Sequence, residues 1–118
     1  MKKIIIVDDD DAIRDSAHLI LEQQGCLVTI YPDAAAILRG QFNVPDIFLI
    51  DKQLPGVDGV SLCEHLKKQE RTQDVPVIIM SASPHVEQLA IDAGAAAFIE
   101  KPYSIKTLRE AVSKYMKT

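Results

Sequence analysis

Short, wholly apolar runs alternate with helical patterns along this chain, and that alternation restricts the fold more than any other feature. The runs are Ile4-Ile5-Ile6-Val7, Leu27-Val28-Thr29-Ile30, Ile47-Phe48-Leu49-Ile50, Val75 to Met80 with Pro76 near its start, and the weaker Ala97-Phe98-Ile99. A strand with one wet face alternates apolar and polar residues. A continuous apolar run suits a strand covered on both faces, as in a parallel sheet. Between the runs, Ile13, Ala17, Ile20, Leu21 and Gln24 recur at helical spacing, and Gly25 closes that stripe. Val60, Leu62, Cys63 and Leu66 form a second stripe, and Val86, Leu89, Ala90 and Ala93 a third closed by Gly94. Ile105, Leu108, Val112 and Tyr115 begin a last helix that is expected to end near Thr118, while Ala34 to Leu38 is the shortest and weakest. Strand–helix pairs repeated in this way predict a doubly wound α/β fold, (βα)5, with a five-stranded parallel sheet, helices on both faces and right-handed crossovers.

The 118 residues fill one domain, taken as residues 1–118, and leave no room for a second. A hydrophobic share of 47% against 25% charged supports a core without staples and excludes a disordered chain. No apolar run approaches the ~20 residues of a membrane span. Met1-Lys2-Lys3 and the apolar run after it are too short for a signal peptide, so a cytoplasmic protein is expected. Cys26 and Cys63 form neither a disulfide framework nor a metal-ligand spacing and read as small buried hydrophobes. The net charge of −4, with no basic run and no tryptophan, argues against nucleic acid or an anionic membrane as a partner. His18, His65 and His85 are scattered and suggest no catalysis, and Lys67, Lys68, Glu70 and Arg71 read as a solvated helix end.

The residues just past each strand are more informative. Asp8 and Asp9 come directly after the first, Asp51 after the third, Ser81 after the fourth and Lys101 after the fifth. Open α/β sheets bind ligands at these carboxyl ends. With strands ordered 2-1-3-4-5, the topological switch point lies between strands one and three and gathers Asp8, Asp9 and Asp51 around one crevice. Three carboxylates and one lysine sum to −2, a repulsion that one divalent cation cancels. An all-oxygen set without His or Cys selects a hard ion, Mg²⁺ with Mn²⁺ as the alternative, over zinc. Beside such a charge an aspartate can attack phosphorus to give an acyl phosphate, with the lysine and the Ser81 hydroxyl on the phosphoryl oxygens. Asp10 and Asp11 read as caps of the first helix, Asp58-Gly59 as a turn and helix start, and Ser83-Pro84 as the start of the fourth helix.

The motifs are Ile5-Ile6-Val7-Asp8-Asp9-Asp10, Leu49-Ile50-Asp51-Lys52-Gln53-Leu54-Pro55-Gly56-Val57-Asp58-Gly59, Pro76-Val77-Ile78-Ile79-Met80-Ser81-Ala82 and Phe98-Ile99-Glu100-Lys101-Pro102-Tyr103. In this order and at these strand ends they resemble the receiver domain of two-component response regulators, a CheY-like family of flavodoxin-like fold, over the whole chain. The resemblance implies that Asp51 is the phosphoryl acceptor. It implies that Asp8, Asp9, Asp51 and the backbone carbonyl of Gln53 hold Mg²⁺, and that Ser81 and Lys101 bind phosphoryl oxygens. Phe98 takes the switch position, often Tyr, and Lys101–Pro102 is expected to be cis. Lys52, Gln53 and Ser83 occupy positions that tune phosphoryl lifetime, and Tyr103 reads as packing. The implied donor is a sensor histidine kinase or a histidine phosphotransfer protein. The implied readout is the face of helix four, strand five and helix five, offered to an output protein or domain. Any catalysis is confined to Asp51 itself, so the chain is a signalling switch rather than an enzyme. Ser81 stands where Thr is commoner. Ala96 and Ala97 stand where many winged-helix regulators carry acids used in dimerisation, so the familiar symmetric dimer is not expected.

Two other functions compete. A small phosphatase of the haloacid dehalogenase type carries D-x-D after its first strand, which Asp8-Asp9-Asp10 matches, and its nucleophile would be Asp8. A degenerate receiver would bind partners without phosphorylation, although the complete set of acids, Ser81 and Lys101 argues against it.

Overall fold

A computed structural model describes residues 1–115. The elements run β1 (Lys3–Val7), α1 (Asp11–Gln23), β2 (Leu27–Tyr31), α2 (Ala35–Leu38), β3 (Ile47–Asp51), α3 (Gly59–Lys67), β4 (Val77–Ser81), α4 (Val86–Asp92), β5 (Ala97–Glu100) and α5 (Ile105–Tyr115). The five strands form one sheet in the order β2-β1-β3-β4-β5, and every pairing is parallel. The expected architecture is therefore the observed one. The expected end of the last helix near Thr118 lies outside the described residues.

The apolar runs sort their side chains by parity. Ile5, Val7, Phe48, Ile50, Val77 and Ile79 pack against Ile37 of α2, Leu62, Cys63 and Leu66 of α3, and Val86 and Ala90 of α4. Ile4, Ile6, Ile47, Leu49, Ile78 and Met80 pack against Ala17, Ile20 and Leu21 of α1 and Leu108 and Val112 of α5. Each fully buried Ile or Leu contributes roughly 1.5–3 kcal/mol relative to exposure, so both faces of β3 and β4 are anchored and their register cannot slip.

Several local expectations are corrected. β4 starts at Val77 rather than Val75, because Pro76 has no N–H for the ladder and Val75 N–H turns back to the Thr72 carbonyl at 3.0 Å. β3 and β4 each run one residue further than expected, so Asp51 and Ser81 are the last residues of their strands. α4 does not start at Ser83-Pro84. These two residues form a turn, with Val86 N–H on the Ser83 carbonyl at 3.1 Å, and the helix begins at Val86 without a side-chain cap. Leu89 and Ile105 are exposed rather than inward-facing, and Gln24 caps the end of α1. Asp10 alone caps α1, accepting from the N–H groups of Ala12 and Ile13, while Asp11 lies in the first turn and pairs with Arg14. The segment from Lys67 to Arg71 is not simply solvated. Lys67 Nζ donates to the Val75 carbonyl at 2.6 Å, and Arg71 donates to the carbonyls of Gly40 and Phe42 while lying 4.5 Å over the Phe42 ring.

Candidate functional site

The carboxyl ends of β1, β3, β4 and β5 meet at one edge of the sheet, and each delivers a polar side chain. Asp8 extends the ladder one residue past β1, its N–H on the Tyr31 carbonyl at 3.1 Å. Its carboxylate is fully buried: Oδ1 accepts the Asp10 N–H at 2.9 Å and Oδ2 accepts Lys101 Nζ at 2.9 Å. Asp51 is 5% exposed, and its Oδ1 takes the same Lys101 Nζ at 2.9 Å. Asp9 is exposed on the rim. Asp8, Asp9 and Asp51 each bring a carboxylate oxygen within 4.8 Å of the others, which joins the three predicted acids in one cluster.

Backbone contacts fix this geometry. Lys101 N–H donates to the Ser81 carbonyl at 2.8 Å, so the lysine is set by the sheet before its side chain reaches across. The Lys101–Pro102 peptide is cis. Below Asp51, α3 starts so close to β3 that a Cβ on Gly59 would stand 2.2 Å from the Asp51 carbonyl oxygen. Only glycine fits there, and its N–H donates to the Lys52 carbonyl at 2.8 Å. Asp58 closes the turn by accepting the Ser61 N–H at 2.9 Å, as its expected structural role requires.

Burial, the largest influence, pushes the Asp51 carboxyl above the usual aspartate range. The hydrogen bond and charge of Lys101 and the Gln53 backbone pull it down, and the charge of Asp8 pushes it up. For Lys101 burial opposes the charged form, but the two aspartates outweigh it and hold the ammonium above the usual lysine range. The pocket therefore holds its lysine firmly charged while burial still disfavours an ionised Asp51, an imbalance that one more cation would relieve. Oxygen donors alone face it, which fits a hard divalent ion.

Ser81 is buried, and its Oγ accepts the Ser83 N–H at 3.1 Å. Phe98 does not join the acids. It pairs with Ile79 in register and packs, half-buried, against the core on the α2–α3–α4 side. Gln53 is exposed two residues beyond Asp51. Tyr103, read from sequence as packing, does pack on the α1–α5 side, but its hydroxyl is buried without a protein partner. Cys26 and Cys63 are free and buried, and burial pushes the Cys63 thiol up to about 11.

Residues 4–113 match the family described as the response regulator receiver domain. The chain belongs to that family. The transcriptional regulatory protein CseB of Streptomyces avermitilis is 40% identical to it over 103 residues, which are 85% of this chain and 43% of CseB. The chain spans about half the length of the curated relatives it matches. The receiver domain of the Francisella response regulator 1452 superposes with a TM-score of 0.86 at 31% identity, covering 98% of this chain and 97% of that one. The receiver domain of the sensor histidine kinase PA1611 from Pseudomonas aeruginosa PAO1 shares the fold, with a TM-score of 0.89 at 23% identity over 99% and 98% of the two chains. That structure has a magnesium ion coordinated in its active site cleft. Receiver domains are signalling switches that take phosphate from histidine kinases and carry it on aspartate, rather than enzymes acting on separate substrates. No helix among the described residues is long and apolar enough to cross a membrane.

Proposed function

We propose that Asp51 is the phosphoryl acceptor of this receiver domain. The observation that carries the reading is the single ammonium of Lys101 held at 2.9 Å from both Asp8 and Asp51, at strand ends where Asp9 completes an acidic cluster. The donor is a phosphohistidine on a sensor kinase or a phosphotransfer protein. An Asp51 carboxylate oxygen forms the new O–P bond, and the P–N bond of the donor breaks. The electron pair returns to the imidazole nitrogen, which picks up a proton, and an acyl phosphate remains on Asp51. Lys101 and the Ser81 hydroxyl are placed to meet the phosphoryl oxygens. Asp8, Asp9, Asp51 and the Gln53 carbonyl would hold Mg²⁺, with Mn²⁺ as the alternative, which when bound neutralises charge on the transferring group. Rearrangement of Ser81 and Phe98 then alters the α4–β5–α5 face that an output partner or domain reads. One folded domain over residues 1–118, working in the cytoplasm, suits this role.

Asp8 is a poor candidate for the nucleophile of a haloacid dehalogenase-type phosphatase, because it is fully buried with both oxygens already accepting hydrogen bonds. A degenerate binding module would not need the complete acid, hydroxyl and lysine set. Intact mass after incubation with acetyl phosphate tests the reading. Wild type with Mg²⁺ should gain one phosphoryl group, and Asp51→Asn should gain none. Equal labelling of the variant would reject Asp51. Absence of both a label and a beryllofluoride complex in wild type would leave the binding module.

A further inference from the structure

The end of the molecule away from the acidic cleft carries a pocket that the phosphoryl chemistry does not use. α2 and α3 both run away from the cleft, and their last turns lead into the loops that precede β3 and β4. Between these last turns and loops lies an open pocket of about 250 Å³. Ile37, Leu38, Phe42 and Leu66 give it apolar walls. Arg39, Arg71 and His65 give it donors, and no aspartate or glutamate among the described residues lines it. In a chain with a net charge of −4, two guanidinium groups without an acid make a local reversal of sign. Neither arginine has a carboxylate partner among the described residues.

The two arginines differ in what they hold. Arg71 builds the wall: it donates to the Gly40 carbonyl at 3.1 Å and to the Phe42 carbonyl, and its guanidinium lies 4.5 Å over the Phe42 ring. Phe42 in turn meets Phe48 edge-on, with 5.9 Å between ring centroids, and Thr72 Oγ1 donates to the Leu66 carbonyl at 2.6 Å. Walls tied in this way are set before a ligand arrives, which lowers the ordering cost of binding. Arg39 donates through Nε to Gln41 Oε1 at 3.0 Å, and its two terminal nitrogens have no acceptor among the described residues. Such a fork matches a carboxylate or a phosphate. A cavity of about 150 Å³ takes a benzene ring, so this pocket has room for a ring and one anionic group. We propose that it binds a small aromatic anion, whose carboxylate or phosphate meets Arg39 while the ring lies among Leu38, Phe42 and Leu66. The site stands at the opposite edge of the sheet from Asp51, so it does not depend on the phosphoryl reading.

The test is an amide-shift titration of the whole chain without Mg²⁺, for wild type and Arg39→Gln. Benzoate and phenyl phosphate are the probes, and benzyl alcohol and acetate are the controls. Arg39 is exposed and its side chain bonds only to Gln41 among the described residues, so the variant should keep the wild-type spectrum away from its own loop. At least one of the two aromatic anions should shift the amides of residues 37–42 and 65–72 saturably, and added salt should weaken the binding. Arg39→Gln should weaken it by about three- to tenfold, the effect of losing a charge-assisted hydrogen bond near water. Tighter binding of phenyl phosphate would identify a phosphate-bearing ligand, and tighter binding of benzoate a carboxylate; either supports the site. No saturable shift, or shifts confined to the residues of the acidic cleft, would overturn the proposal. Benzyl alcohol or acetate binding as tightly as the aromatic anions overturns it as well, because the pocket would then read a ring or a charge alone. Equal affinity in wild type and Arg39→Gln removes the fork from the site, and the proposal with it.

Discussion

At the scale of single residues the site is a problem of charge in a dry place. Asp51 has a higher pKa folded than unfolded, so whatever stability it contributes is present at low pH and is lost as pH rises through that raised value. Lys101 is also raised, so its contribution holds at all pH below the ordinary lysine range and is lost only above it. The metal-free fold therefore disfavours the ionised form of Asp51. Asp51→Asn should melt at a higher temperature than wild type at pH 7 without metal, and the gap should narrow as the pH falls through the raised Asp51 value toward the ordinary aspartate range. A lower melting temperature at pH 7 would show that the Lys101 bond outweighs burial. Lys101→Ala removes the largest influence that lowers the Asp51 pKa. Its carboxyl carbon, followed by NMR, should titrate at higher pH than in wild type, and an unmoved midpoint would reject the coupling. The acids, Ser81 and Lys101 were legible in sequence because their positions at strand ends follow from hydrophobic runs that end abruptly. The unpartnered Tyr103 hydroxyl was not, since whether a tyrosine in a packing position finds a partner depends on tertiary packing. The roles of Arg71 and Lys67 were hidden for the same reason: their acceptors are backbone carbonyls, and those of Arg71 lie in a distant loop that no local pattern reveals.

At the scale of elements the order of strands and helices was readable and the boundaries were less so. The apolar runs of β1, β3 and β4 are buried on both faces, so packing and propensity agree. Boundaries failed where a backbone group had another use. Ser83 N–H goes to Ser81 Oγ and its carbonyl to Val86, which delays α4 until a helix of only seven residues remains. The start of α3 is the opposite case, a boundary set by close approach. Gly59→Ala would drive a methyl group into the Asp51 carbonyl, which belongs to the central strand and cannot yield freely. Such overpacking costs about 1–3 kcal/mol, and part of the relief should come from moving the end of β3. The variant is expected to unfold at lower denaturant concentration and to bind Mg²⁺ more weakly. Wild-type values in both measurements would mean that α3 is free to shift, and that Gly59 does not set the position of Asp51.

At the scale of the whole molecule, the sheet divides the interior into two cores, and the acidic cleft touches the strand ends that both cores hold in place. The core of α1 and α5 and the core of α2, α3 and α4 are anchored by different side chains of the same strands, so a change at the strand ends need not disturb both. α4 has no side-chain cap, and the turn before it hangs on the Ser83 N–H bond to Ser81 Oγ. On the proposed reading, a phosphoryl group on Asp51 would draw that hydroxyl toward itself, and the turn that starts α4 would move with it. Half-buried Phe98, which packs on the α2–α3–α4 side, can then settle into the altered space. By contrast, α1 is tied by the double cap of Asp10 and packs through buried Ala17, Ile20 and Leu21. Beryllofluoride with Mg²⁺ should therefore shift the amide resonances of residues 83–87 and of Phe98 strongly, and those in the body of α1 little. Ser81→Ala should still bind beryllofluoride at Asp51 but lose most of the response in α4, because the hydroxyl that couples the two is gone. Equal responses in wild type and Ser81→Ala would show that α4 is moved by another route, and shifts spread evenly over α1 and α4 would show that the two cores respond as one body.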